Sequence, residues 1–412
     1  MLEILPMSEW KEYRLGEIGE IITGKTPSVR NPEDWGNNFL FITPSDYCNY
    51  GKYAKDSIRK LSVSGLERLK KKVLPPKSIL VTCIGSDMGK VVMNNVMCIT
   101  NQQINAIVPY KEYDNDFVYY SLLNAYDTLR VLGGDGTAVP IVNKSDFENI
   151  VLKLPPLDEQ NRIAGVLSSL DDKIDLLNRE NATLEALAET LFRHYFIENP
   201  DPTWKEGKLG DYVIETIGGE WGTETPEGES GMPVRCLRGA DVADLNDGIA
   251  TRTPLRYVKP SKYEKIKPNN GDIILEISGG TDTCSTGRVA YINEGVKQLF
   301  DYPIVFSNFC RLLRVDERHT FFVYCFFRYL HKQGEFFNLE NGSSGIHNLN
   351  YKAALYEMDW NVPTDEKVVI DFNNQVKPYF DKINANKQQI LALSAQRDAL
   401  LPRLMLGEVK IG

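Results

Sequence analysis

The sequence predicts an α+β protein in which two repeated domains of mixed helices and strands are separated by a long antiparallel two-helix coiled coil. Two observations lead to this fold class. The first is an internal repeat with a period far longer than that of solenoid units, and the second is a stretch of heptad-spaced apolar residues after each copy. The repeat places the domains at 1–154 and 200–362, and the helical segments at 155–199 and 363–412.

The two copies of the repeat follow the same order of elements. The segment WKEYRLGE, which begins at Trp10, returns as WKEGKLGD from Trp204, 194 residues later. In each copy a basic helical stretch then leads through a proline to a strand and a glycine-rich loop, LERLKKKVLPPKSILVTCIGSDMGKV in the first and YEKIKPNNGDIILEISGGTDTCSTGRV in the second. Near the end of each copy, Asn143 and Asn350 lie in register, 207 residues apart. The matched order predicts that both copies have the same fold.

The first helical segment, 155–199, has the spacing of a coiled coil. Apolar residues recur at intervals of four and three from Ile163 to Tyr195, interrupted by Asn181. Two prolines begin the segment, where first-turn N–H groups have no helical partner, and Pro200 ends it. A helix of roughly 40 residues, at about 1.5 Å per residue, is roughly 60 Å long. Because one ordinary domain cannot cover that length, the helix needs a partner.

The second helical segment, from Asp365 to Leu406, provides that partner. It has its own heptads, with Asn386 and Arg397 as polar members, and Pro378 predicts a kink or a break. In an antiparallel register that superposes the helix centres, Asn181 faces Asn386, and a hydrogen bond between them would fix the register. The alternative is that each helix packs only on its own domain. The residues expected to pair are Leu167, Leu170, Ile174, Asn181, Leu184, Ile383, Asn386, Ile390 and Leu393.

The distribution of charge along the chain is more informative than its sum. The formal net charge of −9 argues at first sight against a nucleic-acid partner. Locally, however, 52–90 contains ten basic residues against three acidic ones, and 252–288 contains seven against four. The first helical segment has the opposite balance, with four basic and nine acidic residues in 158–198. We therefore expect basic surfaces on the domains and an acidic surface on the helix.

Composition and cysteine usage indicate the compartment. No apolar run approaches the ~20 residues that a membrane span requires, and the first residues lack the basic-then-apolar order of a signal peptide. We expect a cytoplasmic protein with no membrane partner. The seven cysteines are scattered, which favours buried thiols in a reducing compartment over disulfides or a metal site.

One enzymatic signature matches formally. Residues 19–26, GEIITGKT, fit the G-x4-G-K-[ST] phosphate-loop pattern. The context argues against it, because Pro27 follows at once, no apolar strand precedes Gly19, and the paired segment TIGGEWGTE has no lysine. Signatures of hydrolases, metalloproteases, dinucleotide-binding proteins and adenine methyltransferases are not found. We expect a chain that is not an enzyme by itself, with nucleotide binding at this octet as a competing hypothesis.

The ordered repeat resembles the specificity subunit of type I restriction–modification systems. The motifs that carry the resemblance are WKxxxLG at 10–16 and 204–210, TGKTPS at 23–28, SGGTDTCSTGR at 278–288, LPPLDEQNRIAGVLSSLDDKI at 154–174 and RDALLPRLMLGEV at 397–409. The resemblance implies two target-recognition domains, each recognising one half of an interrupted site in double-stranded DNA. It also implies that the helices set the spacer and bind methyltransferase (modification) subunits. The second helix departs from the pattern, because PTDEKVVID lacks the glutamine found at Gln160.

The resemblance places the catalysis on other subunits. No cofactor is expected on this chain, whereas S-adenosylmethionine, ATP and Mg are expected on the methyltransferase and the restriction/translocase subunits. The acidic residues of the first helix would then face solvent or a methyltransferase subunit, namely Asp171, Asp172, Glu180, Glu185 and Glu189. A hypothesis from another class is a non-catalytic coiled-coil interaction scaffold with two ligand-binding heads.

Candidate DNA contacts come from polar loops that recur beside the basic stretches, although ordinary turns explain many such loops. Small residues allow close approach to phosphates, and amide or hydroxyl side chains can recognise base edges. In the first domain, phosphate contacts are expected from Lys70, Lys71, Lys72, Lys90 and Lys144, and base contacts from Ser86, Gln102, Gln103 and Thr137. In the second domain the candidates are Arg238, Thr281, Asp282, Thr283, Arg288, Asn308, Ser343, Ser344 and His347.

Overall fold

The computed structural model describes residues 10–134, 141–246, 253–281, 284–342, 347–363, 365–409 and 411. The chain forms two compact units: unit one is Met1–Asp175 with Ala392–Gly412, and unit two is Leu176–Leu391. This division differs from the four segments expected from the sequence. The difference arises because parts of both long helices are buried in the core of each unit.

Unit one begins with short strands and helices and ends with part of a long helix. Its 3-10 helices are Pro32–Asp34, Pro44–Asn49 and Lys70–Lys72. The strands are β1 Lys11–Arg14, β2 Gly19–Thr23, β3 Trp35–Gly36, β4 Phe39–Ile42, β5 Tyr53–Ala54, β6 Arg59–Leu61, β7 Ile79–Thr82, β8 Val91–Asn94, β9 Cys98–Thr100, β10 Ile104–Pro109 and β11 Val151–Leu154. The helices are α1 Leu15–Ile18, α2 Val63–Arg68, α3 Asn115–Asn124, α4 Tyr126–Leu132, α5 Lys144–Glu148 and the start of α6 Leu157–Arg193.

Three sheets organise unit one. The largest has the order β2-β10-β7-β8-β5, a second has the order β3-β6-β4-β9, and β1 pairs with β11. All four residues of β7 are buried, as its continuous apolar sequence predicts. Phe117 and Tyr120 of α3 are fully buried in the same core as Ile79 and Val81. The start of α6 also enters this core, at Ile163, Ala164 and Leu167.

Unit two repeats this sequence of elements. Outside the α-helices it has π-helical turns at His194–Glu198 and Ala353–Glu357, and 3-10 helices at Leu209–Tyr212 and Glu335–Leu339. The strands are β12 Lys205–Gly207, β13 Val213–Gly218, β14 Met232–Leu237, β15 Leu255–Val258, β16 Ile273–Glu276, β17 Ser278–Gly280, β18 Val289–Tyr291, β19 Ile304–Phe306, β20 Cys310–Val315, β21 Glu340–Gly342, β22 His347–Leu349 and β23 Trp360–Val362. The helices are α7 Gly239–Asn246, α8 Pro260–Ile266, α9 Glu294–Lys297, α10 Thr320–Gln333 and α11 Glu366–Met405.

The sheets of unit two match those of unit one. The order β13-β20-β16-β18 corresponds to β2-β10-β7-β8, and the parallel pair β14 and β19 corresponds to β4 and β9. The two backbone positions just before β7 and β16 also match, because Lys77 has φ 67° and Gly271 has φ 91°. One difference is the three-stranded sheet β17-β22-β21 of unit two. The predicted α+β class with two repeated domains and two long helices is therefore confirmed.

Both long helices are continuous. The break expected at Pro378 is wrong, since α11 runs unbroken from Glu366 to Met405. Pro378 and Asn374, whose carbonyl loses its helical N–H partner, are both exposed, so water can satisfy the freed oxygen. On the opposite side of the helix, Phe372, Val376, Phe380 and Ile383 are buried in the core of unit two. Their packing outweighs the roughly 3 kcal/mol that an interior proline costs a helix.

In unit two, α6 and α11 lie antiparallel with the predicted pair of asparagines between them. Asn386 Nδ2 donates to Asn181 Oδ1 over 2.8 Å and also to Glu180 Oε2 over 2.9 Å. Further along, the rings of Tyr195 and Phe372 have centroids 6.4 Å apart. Of the residues expected to pair, Leu167, Asn181, Ile383 and Asn386 are buried, whereas Leu170, Ile174, Leu184, Ile390 and Leu393 are half-buried. The helices also pack on their own domains, so the pairing and its alternative both describe part of the structure.

The expectation that the acidic residues of α6 face solvent or another subunit is wrong for Asp171, which is buried, whereas the four others are exposed or half-buried. In unit one, Asp171 is 5% exposed and lies 2.7 Å from Nη1 of Arg397 on α11. In unit two, Glu185 pairs with Arg328 over 3.1 Å, and Glu189 pairs with Lys332 over 2.6 Å. Asp172 and Glu180 contact Tyr53 and Lys382, respectively. These carboxylates therefore attach α6 to α10, α11 and the first domain.

Candidate nucleic-acid interface

Three loops of unit one meet beside the end of β2. Lys25 N donates to Thr100 O over 2.9 Å, and Cys83 N donates to Gln103 O over 2.8 Å. Val142 N in turn donates to Cys83 O over 2.8 Å. These bonds bring together three loops that the sequence shows only as separate polar stretches. We call residues 24–26, 83–90, 101–103 and 141–144 loop edge one.

Unit two has the same three bonds at the matching places. Glu220 N donates to Phe306 O over 2.8 Å, Ile277 N donates to Phe309 O over 2.9 Å, and Leu349 N donates to Ile277 O over 2.9 Å. We call residues 219–220, 277–281, 284–288, 307–309 and 347–349 loop edge two. In this correspondence Asn308 occupies the place of Gln102, and Phe309 occupies the place of Gln103.

A glycine permits the close approach in each loop edge. A Cβ atom on Gly24 would overlap the carbonyl oxygens of Thr100 and Asn101, and one on Gly219 would overlap those of Phe306 and Ser307. Gly24 is the second glycine of the phosphate-loop pattern, so the structure gives that residue a packing role. The first half of the octet is the strand β2, and no helix begins at Lys25. A phosphate loop requires a helix N-terminus at that lysine, so the fold lacks the geometry of one there.

Loop edge one presents several of the predicted base-contacting residues. Ser86 and Gln102 are exposed, and Gln103 is half-buried. Gln102 Oε1 accepts from Thr26 Oγ1 over 2.7 Å, and Gln103 Oε1 accepts from Asn101 Nδ2 over 2.8 Å. Neither carboxamide nitrogen donates to another of the described residues, so both can donate to a ligand. These two side chains are thus held in place by their neighbours while keeping hydrogen-bonding capacity for a ligand.

The predicted phosphate-binding lysines of unit one fall in two places. Lys90 and Lys144 belong to loop edge one, where they pair with Asp87 over 2.6 Å and with Glu148 over 3.3 Å. Lys70, Lys71 and Lys72 form a 3-10 helix, and no hydrogen bond or ion pair between described residues connects them to loop edge one. Thr137 lies outside the described residues.

Two arginines predicted to contact DNA are held by acidic residues of unit two. Arg238 forks onto Asp241, with Nε 3.0 Å from Oδ2 and Nη2 2.8 Å from Oδ1. Arg288 forks onto Glu276, which is 0% exposed, with Nε 2.7 Å from Oε2. The hydrogen bonds to Glu276 raise the pKa of Arg288 above its ordinary value. Neither pair was predicted from the sequence, and both hold the loops of unit two in place.

The other candidates of unit two lie at or near loop edge two. Thr281 and Asn308 are exposed. His347 Nδ1 lies 2.9 Å from Oε2 of the buried Glu340, whose Oε1 accepts from Thr286 Oγ1 over 2.7 Å. Glu340 and His347 lie on the paired strands β21 and β22 of one small sheet, and β17 pairs with β22 on its other side. Asp282, Thr283, Ser343 and Ser344 lie outside the described residues.

A shallow basic groove adjoins Asn308. It has a volume of about 830 Å³, and its charged lining residues are Lys262, Lys265, Arg311, Arg314, Glu215 and Glu264. Arg314 is engaged by the buried Asp272 over 3.3 Å. Arg311 contacts the hydroxyl of Tyr351, and neither Arg311 nor Lys265 has a carboxylate partner among the described residues. Sequence reasoning missed Arg311 and Phe309, although the repeat aligns NQQINAI with SNFCRLL and places Phe309 opposite Gln103.

Two structural features are absent from the described ranges. None of their helices has the length and apolarity needed to cross a membrane. They also contain no group of three or more His, Cys, Asp or Glu side chains that could hold a metal ion. The seven cysteines are free thiols, five of them buried, with Cys48 and Cys284 exposed.

Comparisons with known proteins show what the chain is similar to. The model of the type I restriction modification DNA specificity domain matches residues 7–186. The MjaIX specificity subunit of Methanocaldococcus jannaschii, a type I restriction enzyme subunit, is 25% identical, with 98% of this chain and 94% of that protein covered. The HindI specificity subunit of Haemophilus influenzae is 38% identical over 35% of this chain and 32% of that protein. The crystal structure of a type I restriction–modification S subunit from M. genitalium shares the fold, with a TM-score of 0.58, 16% identity and 98% of both chains covered. Residues 7–186 therefore match the type I restriction modification DNA specificity domain, and over nearly its whole length the chain is similar to a specificity subunit of a type I restriction enzyme.

Proposed function

We propose that this chain recognises an interrupted DNA sequence, with loop edge one contacting one half-site and loop edge two the other. The observation that carries the proposal is the set of three backbone hydrogen bonds that recurs in both domains. One chain thus presents two equivalent polar edges whose side chains differ. Equivalent scaffolds with different side chains suit two half-sites of different sequence.

The chemistry of the loop edges fits double-stranded DNA. A carboxamide can pair in a bidentate manner with adenine in the major groove, and Gln102 and Asn308 offer exposed carboxamides at equivalent places. Cations beside loop edge two, such as Arg311 and Lys265, would contact phosphates and fix the orientation of that domain. The acidic surface of α6 would repel phosphates and so remain away from the DNA.

In this proposal the long helices set the spacer between the half-sites and dock methyltransferase subunits, and restriction/translocase subunits complete the complex. S-adenosylmethionine, ATP and Mg would be held by those partners. The chain itself would hold no cofactor and perform no catalysis. The sequence supports this division because it contains none of the searched catalytic signatures in a suitable context.

Substitutions in one loop edge at a time test the proposal. Gln102→Ala and Asn308→Ala would each be combined with the partner subunits in cells, and methylated adenines would be mapped across the genome. We expect each variant to relax a different half of the target. Asn270→Ala is the matched control, since Asn270 is an exposed carboxamide at the opposite end of β16 from Ile277.

Three outcomes would contradict the proposal. If both variants altered the same half-site, the two loop edges would not act separately. If the complex with its methyltransferase partner failed to retain DNA on a filter, the interaction scaffold would be favoured. Binding of ATP to the isolated chain would instead favour a nucleotide site at residues 19–26.

A further inference from the structure

Phe309 is exposed at a place where its counterpart is a polar residue. Its side chain is 55% exposed. The apolar strand β19 ends at Phe306, and two polar residues, Ser307 and Asn308, separate it from Phe309. The matching residue of loop edge one is Gln103. The two edges therefore share a backbone arrangement but differ at this position between a carboxamide and an apolar ring.

The backbone presents this ring rigidly. Phe309 O accepts from Ile277 N over 2.9 Å, and Phe309 N donates to Ser307 Oγ over 3.3 Å. The next residue, Cys310, is fully buried at the start of β20. Phe309 itself precedes the strand, and its ring is exposed to solvent. Because the backbone is already held, binding through the ring need not order this part of the chain.

The surroundings of the ring favour DNA as its ligand. Asn308, the preceding residue, lines the basic groove together with Arg311, Lys262 and Lys265. A surface of this charge attracts phosphates, whereas the ring itself can form no hydrogen bond with a base. In the major groove of DNA the apolar group that a phenyl ring can contact is the C5-methyl group of thymine.

We infer that Phe309 is a specificity-determining residue that contacts the C5-methyl group of one thymine in the half-site recognised by loop edge two. The inference rests on the proposed function, and it goes further by naming thymine as one of the bases that loop edge two recognises. At the same place in loop edge one, Gln103 would contact a polar base edge. The repeated scaffold thus carries an apolar contact in one half and a polar contact in the other.

Removing the methyl group from the DNA tests the inference. The target would first be mapped, and the second half-site identified as the half relaxed by Asn308→Ala. Each thymine of that half would then be replaced by uracil, one at a time, and the affinity of the complex with its methyltransferase partner measured by competition. For the native chain, one replacement is expected to weaken binding about fourfold, the effect of about 0.8 kcal/mol for one buried methyl group.

The substituted chain completes the cycle. With Phe309→Ala, the same uracil replacement should have no further effect, and Phe309→Leu should keep part of it. Phe337→Ala is the matched control, because Phe337 is also an exposed phenyl ring of unit two, at 42%, and its removal should leave the uracil effect unchanged.

Several results would overturn the inference while leaving the proposed function intact. One is a Phe309→Ala chain that retains the native sensitivity to uracil. Another is a second half-site without thymine. A third is a Phe309→Ala chain that assembles poorly with the methyltransferase subunit, which would make the ring a protein contact. Loss of all sequence preference in the native complex would instead contradict the proposed function.

Discussion

Replacing Arg288 with methionine is expected to destabilise unit two by about 3–5 kcal/mol. Its guanidinium bonds both oxygens of Glu276, whose side chain is 1% exposed. Methionine keeps the apolar stem of the arginine but leaves the carboxylate buried and unpaired. The expected loss corresponds to a shift of more than a hundredfold in the folding equilibrium.

Hydrogen exchange measured across a urea series isolates this effect. Peptides from β16 and β20 report the unfolding of unit two, because both strands lie in its central sheet. Arg318→Met is the matched control. Arg318 forks onto Asp316 with a similar geometry, but the two side chains are 56% and 34% exposed, so its loss should cost about 0–1 kcal/mol.

A second substitution checks the cause. Replacing Glu276 with leucine in the Arg288→Met chain removes the unpaired charge and should recover much of the lost stability. The reasoning is refuted if the Arg288→Met chain unfolds at the same urea concentration as the native chain while its base preference at one position of the DNA target relaxes. Arg288 would then contact a base, which is one of the two kinds of DNA contact open to a candidate arginine.

Three other predictions concern the helices and the thiols. Cysteines placed at Asn181 and Asn386 should form a disulfide within the monomer, and only cross-linked dimers would contradict the pairing. Native alkylation followed by mass spectrometry should label Cys48 and Cys284 first. Burial raises the pKa of Cys98 to about 12, which lowers its thiolate fraction near neutral pH roughly a thousandfold, and equal labelling of all seven cysteines would refute the buried arrangement. Inserting whole heptads into both long helices should lengthen the spacer in the mapped target or abolish methylation, and an unchanged target would contradict the role of the helices.

Local and repeated patterns made much of the fold predictable. Heptad spacing located both long helices to within a few residues, and the position of the two asparagines in those heptads gave their hydrogen bond. Pro378 misled because its effect depends on which side of the helix meets solvent. Which side of α11 meets solvent depends on how the helix packs in the core of unit two, and the presence of a proline does not indicate that packing.

The candidate site was less predictable because its parts come from distant segments. The sequence showed Arg288 and Glu276 as charged residues near a glycine-rich loop, yet only the sheet reveals that one neutralises the other in the interior. The ion pairs of Glu185 and Glu189 on α6 were hidden in the same way, since their partners Arg328 and Lys332 come from α10. Phe309 resembled a core residue beside an apolar strand, and its exposure depends on the chain turning at Ser307.

Mapping methylated adenines in cells that carry this chain and its partner subunits tests the central claim most directly. If each domain recognises one half-site, the methylated sequence has two short specified parts separated by a gap of fixed length and free sequence. A single continuous motif, or the absence of sequence-specific methylation, would contradict it.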